Sequence, residues 1–336
     1  MSIDNNNLNN KKIILLTNIT NNSFCYRDID NTFTIFQSKD KILYLIFTTK
    51  KKSIISYNLN EFRIITEIKN AHEGNCITNL RHYFYQNYKA DLIISISAKN
   101  NHIKIWNCNN WSCVLNIKDI YPKGIINSAC FIDYDNSLYI LSSNNNWVQP
   151  DFIKIFNFEG NSIGTIKNSN ENVYYIDTYF EECNLHLYVI TGNYNSVRAY
   201  DYTKNELYHE YCDDKTGFHS SLKIFKNRKI TKLIESASNG FIRIWNFHSG
   251  ILINSIHVCN LGLYGICNWD NINIFVGCGD NTIKLININE GKVSKTITGF
   301  NYWVCTVCKI FHKKYGDCLV SQGIKDDQIK MWIIKS

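Results

Sequence analysis

Ile103-Lys104-Ile105-Trp106-Asn107 is one copy of a short signature that returns along the chain. Later copies are Ile153-Lys154-Ile155-Phe156-Asn157, Val197-Arg198-Ala199-Tyr200-Asp201, Ile242-Arg243-Ile244-Trp245-Asn246, Ile283-Lys284-Leu285-Ile286-Asn287 and Ile329-Lys330-Met331-Trp332. A weaker copy, Ile54-Ile55-Ser56-Tyr57-Asn58, stands ahead of them. The seven closing positions, 57, 106, 156, 200, 245, 286 and 332, lie 49, 50, 44, 45, 41 and 46 residues apart. Self-similarity at a period of roughly 40–50 residues is the mark of a β-propeller array.

Each period reads as four strands. Repeat six shows them: Leu263–Cys267, then Asn273–Cys278, then Thr282–Ile286, then Val293–Ile297. Turns rich in Asn, Asp and Gly separate these runs, and such turns between β-forming runs signal hairpins. Four antiparallel strands make one blade. The expected architecture is all-β: one seven-bladed propeller over residues 1–336, with blades at about 23–70, 71–120, 121–170, 171–215, 216–260, 261–300 and 301–336. The last repeat stops after its third strand. The apolar run Lys12-Ile13-Ile14-Leu15-Leu16-Thr17 has no repeat of its own. Residues 11–22 are therefore expected to supply the missing fourth strand and close the ring, with residues 1–10 disordered; closure removes two exposed sheet edges.

The bulk properties agree. Of 336 residues, 45% are hydrophobic, 14% aromatic and only 19% charged. That balance suits many short strands around a packed core and not a disordered chain. Thirteen cysteines form no even framework, and no N-terminal apolar stretch reads as a signal peptide, so the expectation is reduced thiols in the cytoplasm, with the nucleus as alternative. No run approaches the ~20 apolar residues of a membrane-spanning helix. The net charge is +7, with Lys and Arg spread about one to a strand, read as polar positions of alternating strands. The densest basic groups, Lys223 to Lys232 and Lys50-Lys51-Lys52, read as solvated hairpin tips. The former motivates the alternative of a nucleic-acid or acidic-surface partner.

The repeat signature, with Gly277-Cys278-Gly279-Asp280-Asn281-Thr282-Ile283-Lys284-Leu285 in repeat six and Ala71-His72-Glu73-Gly74 before repeat two, resembles the WD40 repeat family over nearly the whole chain. The copies vary: Phe300 stands where His72 would recur, and Phe156, Tyr200, Ile286 and Tyr57 replace the closing Trp. The resemblance implies structural roles for His72, Ser97, Trp106, Phe156, Tyr200, Trp245, Asp280 and Trp332. It suggests a buried network of His72, Ser97 and Trp106, and a turn capped by the Asp280 side chain.

Candidate chemistry is sparse. Cys305-Thr306-Val307-Cys308 has a CxxC spacing. Residues three apart in a strand point to opposite faces, so these thiols are not expected to share a metal. The first strands read as apolar or small, with Asp177 as the exception, and one carboxylate does not make a site. No catalytic residue, cofactor or metal site is assigned. The expected function is non-catalytic: a scaffold or adaptor that binds a protein or peptide partner on the face made by the loops before each first strand and between second and third strands. A propeller enzyme is the remote alternative. Large side chains placed on that face are Tyr121, Lys123, Trp147, Tyr194, Tyr302 and Trp303; Trp147 lies in the insertion Asn144–Asp151. Exposed aromatics there are the usual anchors of interfaces.

Overall fold

Strand-forming residues broken every few positions by Asn, Asp or Gly turns can satisfy their backbone only by pairing with their neighbours, and that is the arrangement found. The computed structural model describes residues 12–20, 33–49, 52–122, 124–145, 152–167, 171–214, 217–226, 230–324, 326 and 328–335. Among them there is no helix.

Strand β1 is Lys12–Thr20. Blade one is β2–β5 (Phe33–Gln37, Leu43–Thr48, Ile54–Asn58, Arg63–Ile68), and blade two is β6–β9 (Asn79–Tyr85, Ala90–Ser97, His102–Asn107, Ser112–Ile117). Blade three is β10–β13 (Ile125–Tyr134, Ser137–Asn145, Phe152–Asn157, Ser162–Lys167), and blade four is β14–β17 (Tyr175–Glu181, His186–Gly192, Val197–Asp201, Glu206–Tyr211). Blade five is β18–β21 (His219–Lys226, Thr231–Ala237, Phe241–Asn246, Leu252–His257), and blade six is β22–β25 (Leu263–Asn268, Asn273–Cys278, Ile283–Asn287, Lys292–Ile297). Blade seven is β26–β28 (Val304–His312, Gly316–Gly323, Gln328–Lys335) joined by β1. Each sheet is antiparallel and four-stranded, and the first strands pack side by side around the ring, β26 returning to β2. The molecule is a seven-bladed β-propeller.

One detail ties the signature to this geometry. In blades one to six the register between third and fourth strands slips at the closing residue, as between Ile105 and Trp106 or Ile244 and Trp245. The extra residue makes a bulge, which sharpens the local twist. In blade seven β1 pairs Leu15 with Trp332 and Thr17 with Met331, the same slip at the same place. The N-terminal strand thus reproduces the geometry of an ordinary fourth strand.

The core lies between blades. Seven buried clusters fill the seven seams. One joins Leu92, Ile94 and Ile105 of blade two to Ile126, Ala129 and Ile140 of blade three; another joins Leu45, Phe47 and Ile55 of blade one to Val320, Ile329 and Met331 of blade seven. Trp106, Trp245 and Trp332 are all buried in such seams. Close approach fixes some residues: a Cβ on Gly277 would stand 2.3 Å from the carbonyl oxygen of Val304.

Candidate functional site

The loops before each first strand and between second and third strands emerge on one face, and most of the polar chemistry gathers there. Its basis is the Lys or Arg of the signature. Lys104 is buried; its Nζ donates to the Ala71 carbonyl at 2.8 Å and contacts Glu73 Oε1 at 2.7 Å. Lys154 donates to the Ile120 carbonyl at 2.6 Å, Lys284 to that of Val258 at 3.2 Å, and Lys330 to that of Gly299. Arg198 holds Glu171 at 3.2 Å and Arg243 holds Asp213 at 2.5 Å. The third strand of each of these blades therefore clamps the loop that feeds the blade. Six cations that the sequence presents as solvated strand positions are structural, four of them buried (Lys104, Arg198, Arg243, Lys330).

The residue after each clamped carbonyl points inward. In blade two it is His72, whose Nε2 lies 2.8 Å from Ser95 Oγ; Trp106 Nε1 donates to the same oxygen at 2.8 Å. The network expected of His72 and Trp106 is present, but its hydroxyl is Ser95, not Ser97. Trp106 opposes Ile93, so its indole reaches the diagonal neighbour Ser95, while Ser97 is one step farther, opposite His102. Trp332 repeats this in blade seven, donating to Ser321 Oγ at 2.8 Å. Burial drives the pKa of His72 down to about 3, with Lys104 adding to the shift, so the imidazole is neutral.

In blade three the residue after the clamped carbonyl is Tyr121. This corrects its placement on the rim: it is 5% exposed, and its hydroxyl lies 2.7 Å from the Ser142 carbonyl and 3.1 Å from Ser142 Oγ. It does the work of His72. In blade seven the residue is Phe300, its ring tilted against Trp332 with centroids 5.8 Å apart. In blade six it is Cys259, beside Cys278. Phe156 and Tyr200 are buried closing residues, and Asp280 caps its turn as expected, accepting from Thr282 Oγ1 and Lys284 Nζ at 2.5 Å each. Blade five departs most. Trp245 is buried, but Glu235 stands where Ser95 would recur, its carboxylate 2.7 Å from His219 Nδ1 and 3.5 Å from Arg243 Nη1, and Trp245 Nε1 has no partner among the described residues.

On the rim, Trp303 is 38% exposed, Tyr302 45% and Tyr194 41%. Trp303 stacks on Tyr264 of blade six at 5.8 Å and 11°. Leu261, half exposed in the loop that feeds blade six and packed by Gly279, is a further apolar residue that sequence alone did not single out. Lys123 and Trp147 lie outside the described residues.

The channel is more charged than its strands suggested. A cavity of about 360 Å3 is lined by Phe33, Ile35, Tyr175, Lys223, Cys267, Cys308 and Lys309, among others. Lys223 is thus not part of a hairpin tip; Lys226 is exposed, and Arg228 and Lys229 lie outside the described residues. Arg81 Nη1 stands 3.5 Å from Asp177 Oδ1, its guanidinium stacks 4.6 Å from the Tyr175 ring, and Nη2 donates to Ser128 at 3.2 Å, so one side chain staples three first strands. Asp177 also accepts from the Tyr175 hydroxyl at 3.1 Å. A signal for these positions was present: Leu80, Ala129, Ile176, Leu222, Ile266 and Val307 are buried first-strand residues, and the next residue of each is Arg81, Cys130, Asp177, Lys223, Cys267 or Cys308, of which Lys223, Cys267 and Cys308 line the cavity. Cys305 and Cys308 share β26 but bond separately, Cys305 to the Gln322 carbonyl at 3.5 Å and Cys308 to that of Lys309 at 3.5 Å. His312 ends that strand, its Nε2 3.1 Å from the Leu59 carbonyl.

Among the described residues no helix is long and apolar enough to cross a membrane. No model of a known protein family matches the chain, and no curated protein matches it in sequence.

Proposed function

We propose that this propeller is a non-catalytic interaction platform of the WD40 type, a scaffold or adaptor that engages a protein or peptide partner on its loop-rich face. The observation that carries the reading is the pair Tyr302 and Trp303 in the loop that feeds blade seven, partly exposed, with Trp303 backed by the Tyr264 stack across the seam to blade six. Rigid aromatics held by packing lose little freedom on binding and are the usual hot spots. On the opposite face the exposed apolar residues Tyr88, Leu185 and Phe311 stand on three separate hairpins of blades two, four and seven. The WD40 assignment rests on the His72–Ser95–Trp106 network and its partial copies. The electrostatic alternative weakens because six signature cations are tied within the fold and Lys223 faces the channel.

Affinity purification at physiological and high salt, with wild-type protein and a folded Trp303→Ala variant, tests this. A discrete protein partner that survives high salt and binds the variant about 2 kcal/mol or more weaker supports the platform. Nucleic acid released by salt and indifferent to Trp303 supports the electrostatic reading instead.

A further inference from the structure

In blade six, where the repeat elsewhere places His72, Tyr121 or Phe300, Cys259 meets Cys278 at the end of β23 and Asp280 in the following turn. The two sulfurs and a carboxylate oxygen all lie within 4.8 Å of one another. Among the described residues no other three His, Cys, Asp or Glu side chains converge in this way. Cys278 is fully buried and Cys259 is 9% exposed, while Asp280 reaches toward solvent. The blade closes with Ile286 instead of an indole, so no N–H competes for the space the sulfurs occupy.

We propose that Cys259, Cys278 and Asp280 form a binding site for a divalent metal with thiolate affinity, of the zinc class, on the loop-rich face. A tetrahedral zinc with Zn–S of about 2.3 Å and Zn–O of about 2.1 Å holds such ligand atoms roughly 3.5–3.8 Å apart, so the present arrangement closes by about an ångström at most. Two thiolates and one carboxylate suit zinc or cadmium and exclude magnesium or calcium, which take oxygen ligands. Charge also balances. Binding exchanges two thiol protons, released to solvent, for one M2+, and the site stays neutral because Lys284 offsets Asp280 at 2.5 Å. Water from the Asp280 side completes the coordination. Buried thiols otherwise act as small apolar groups, as Cys130 and Cys318 do in their seams; the facing carboxylate is what separates this pair from them. The metal would tie the loop carrying Leu261 to the turn at Gly279, already joined by the Gly279 N–H to Gly262 carbonyl bond at 2.8 Å.

The test is Co2+ titration of full-length, reduced, chelator-treated protein. The background is Cys113→Ser/Cys183→Ser/Cys212→Ser, because those three thiols are exposed. One equivalent of Co2+ should give a thiolate-to-cobalt charge-transfer band that Zn2+ abolishes, and Zn2+ should raise the melting temperature. Cys259→Ala should lose both effects. Asp280→Asn, the milder variant should Cys259→Ala fold poorly, should keep the band and weaken Co2+ binding at least tenfold. No band in this background, or a band and a Zn2+ shift that persist in Cys259→Ala, overturns the site. So does unchanged Co2+ affinity in Asp280→Asn.

Discussion

Blade two and blade six solve one packing problem with different chemistry. In blade two a polar latch joins three elements: His72 from the feeding loop, Ser95 from the second strand and Trp106 from the third. Blade six keeps none of the three, placing Cys259, Val276 and Ile286 at those positions, yet its strands pair in the same order and carry the same bulge between third and fourth strands. What both keep is the lysine clamp, Lys104 on the Ala71 carbonyl and Lys284 on that of Val258. The clamp and the aliphatic seam are thus what blades two and six share, and the latch is one of several ways to fill a blade's upper end. Blade three, with Tyr121 and Ser142, is a third.

The strongest way to break this comparison is to delete the closing side chains. Trp106→Ala should lose ~3–5 kcal/mol as a cavity, and Ile286→Ala about 2–5. Trp106→Ala should exceed Ile286→Ala, because it also strips a donor from buried Ser95. Equal losses in denaturant titrations would mean the latch contributes nothing. Next come the clamps. Lys104→Met and Lys284→Met each leave a loop carbonyl without its donor and should cost about 1–3 kcal/mol, similar in both blades; a loss confined to blade two would refute the clamp as the common element.

The third prediction is a pH effect that blade six lacks. His72 takes a proton near pH 6.5 when unfolded but only at about 3 when folded. Between these values the unfolded state binds more protons, so the stability from neutral His72 is complete above pH 6.5 and falls as the pH drops toward 3. From pH 6.5 to 5 the loss should be about 2 kcal/mol. His72→Phe, which copies Phe300, should flatten the acid limb of a stability-against-pH curve by that amount, leaving the parts due to His82 and His312, whose pKa values burial also lowers. An unaltered slope would show that His72 is not buried as described. The smallest effect is Tyr121→Phe. It should cost about 1 kcal/mol, the net worth of its hydroxyl's hydrogen bonding, and leave partner binding unchanged; loss of binding would return Tyr121 to the rim.

The fold was legible because Trp106 and its equivalents recur at one strand position, and a period of that length has few structural solutions. The ring closure was legible from a third strand without a fourth and an apolar strand without a repeat. Placement was legible only where it follows from a side chain's own position, as for the partly exposed Tyr302 and Trp303 and for Asp280 in its turn. Alternation says that Lys104 lies on one side of its strand; it does not say that this side faces a loop carbonyl 33 residues earlier. Ser95 and Ser97 share a face, and only the register chooses between them. Tyr121 sits in a loop like Tyr302, but follows a clamped carbonyl and turns inward. Cys259 and Cys278 meet through the fold, with no local spacing to announce them.

The pairing of β1 with β28 also has a consequence in time. Lys12–Thr20 is made before every other strand of the ring, and its partner Gln328–Lys335 is made last. At 5–20 residues per second the interval is roughly a quarter of a minute to a minute. Throughout it Ile13, Ile14, Leu15 and Leu16 belong to a strand with two open edges, while six blades assemble beside it. A newborn chain on one ribosome can therefore pair with the unfinished edge of another before its own is ready. A chain whose β28 finds its own β1 closes its own ring.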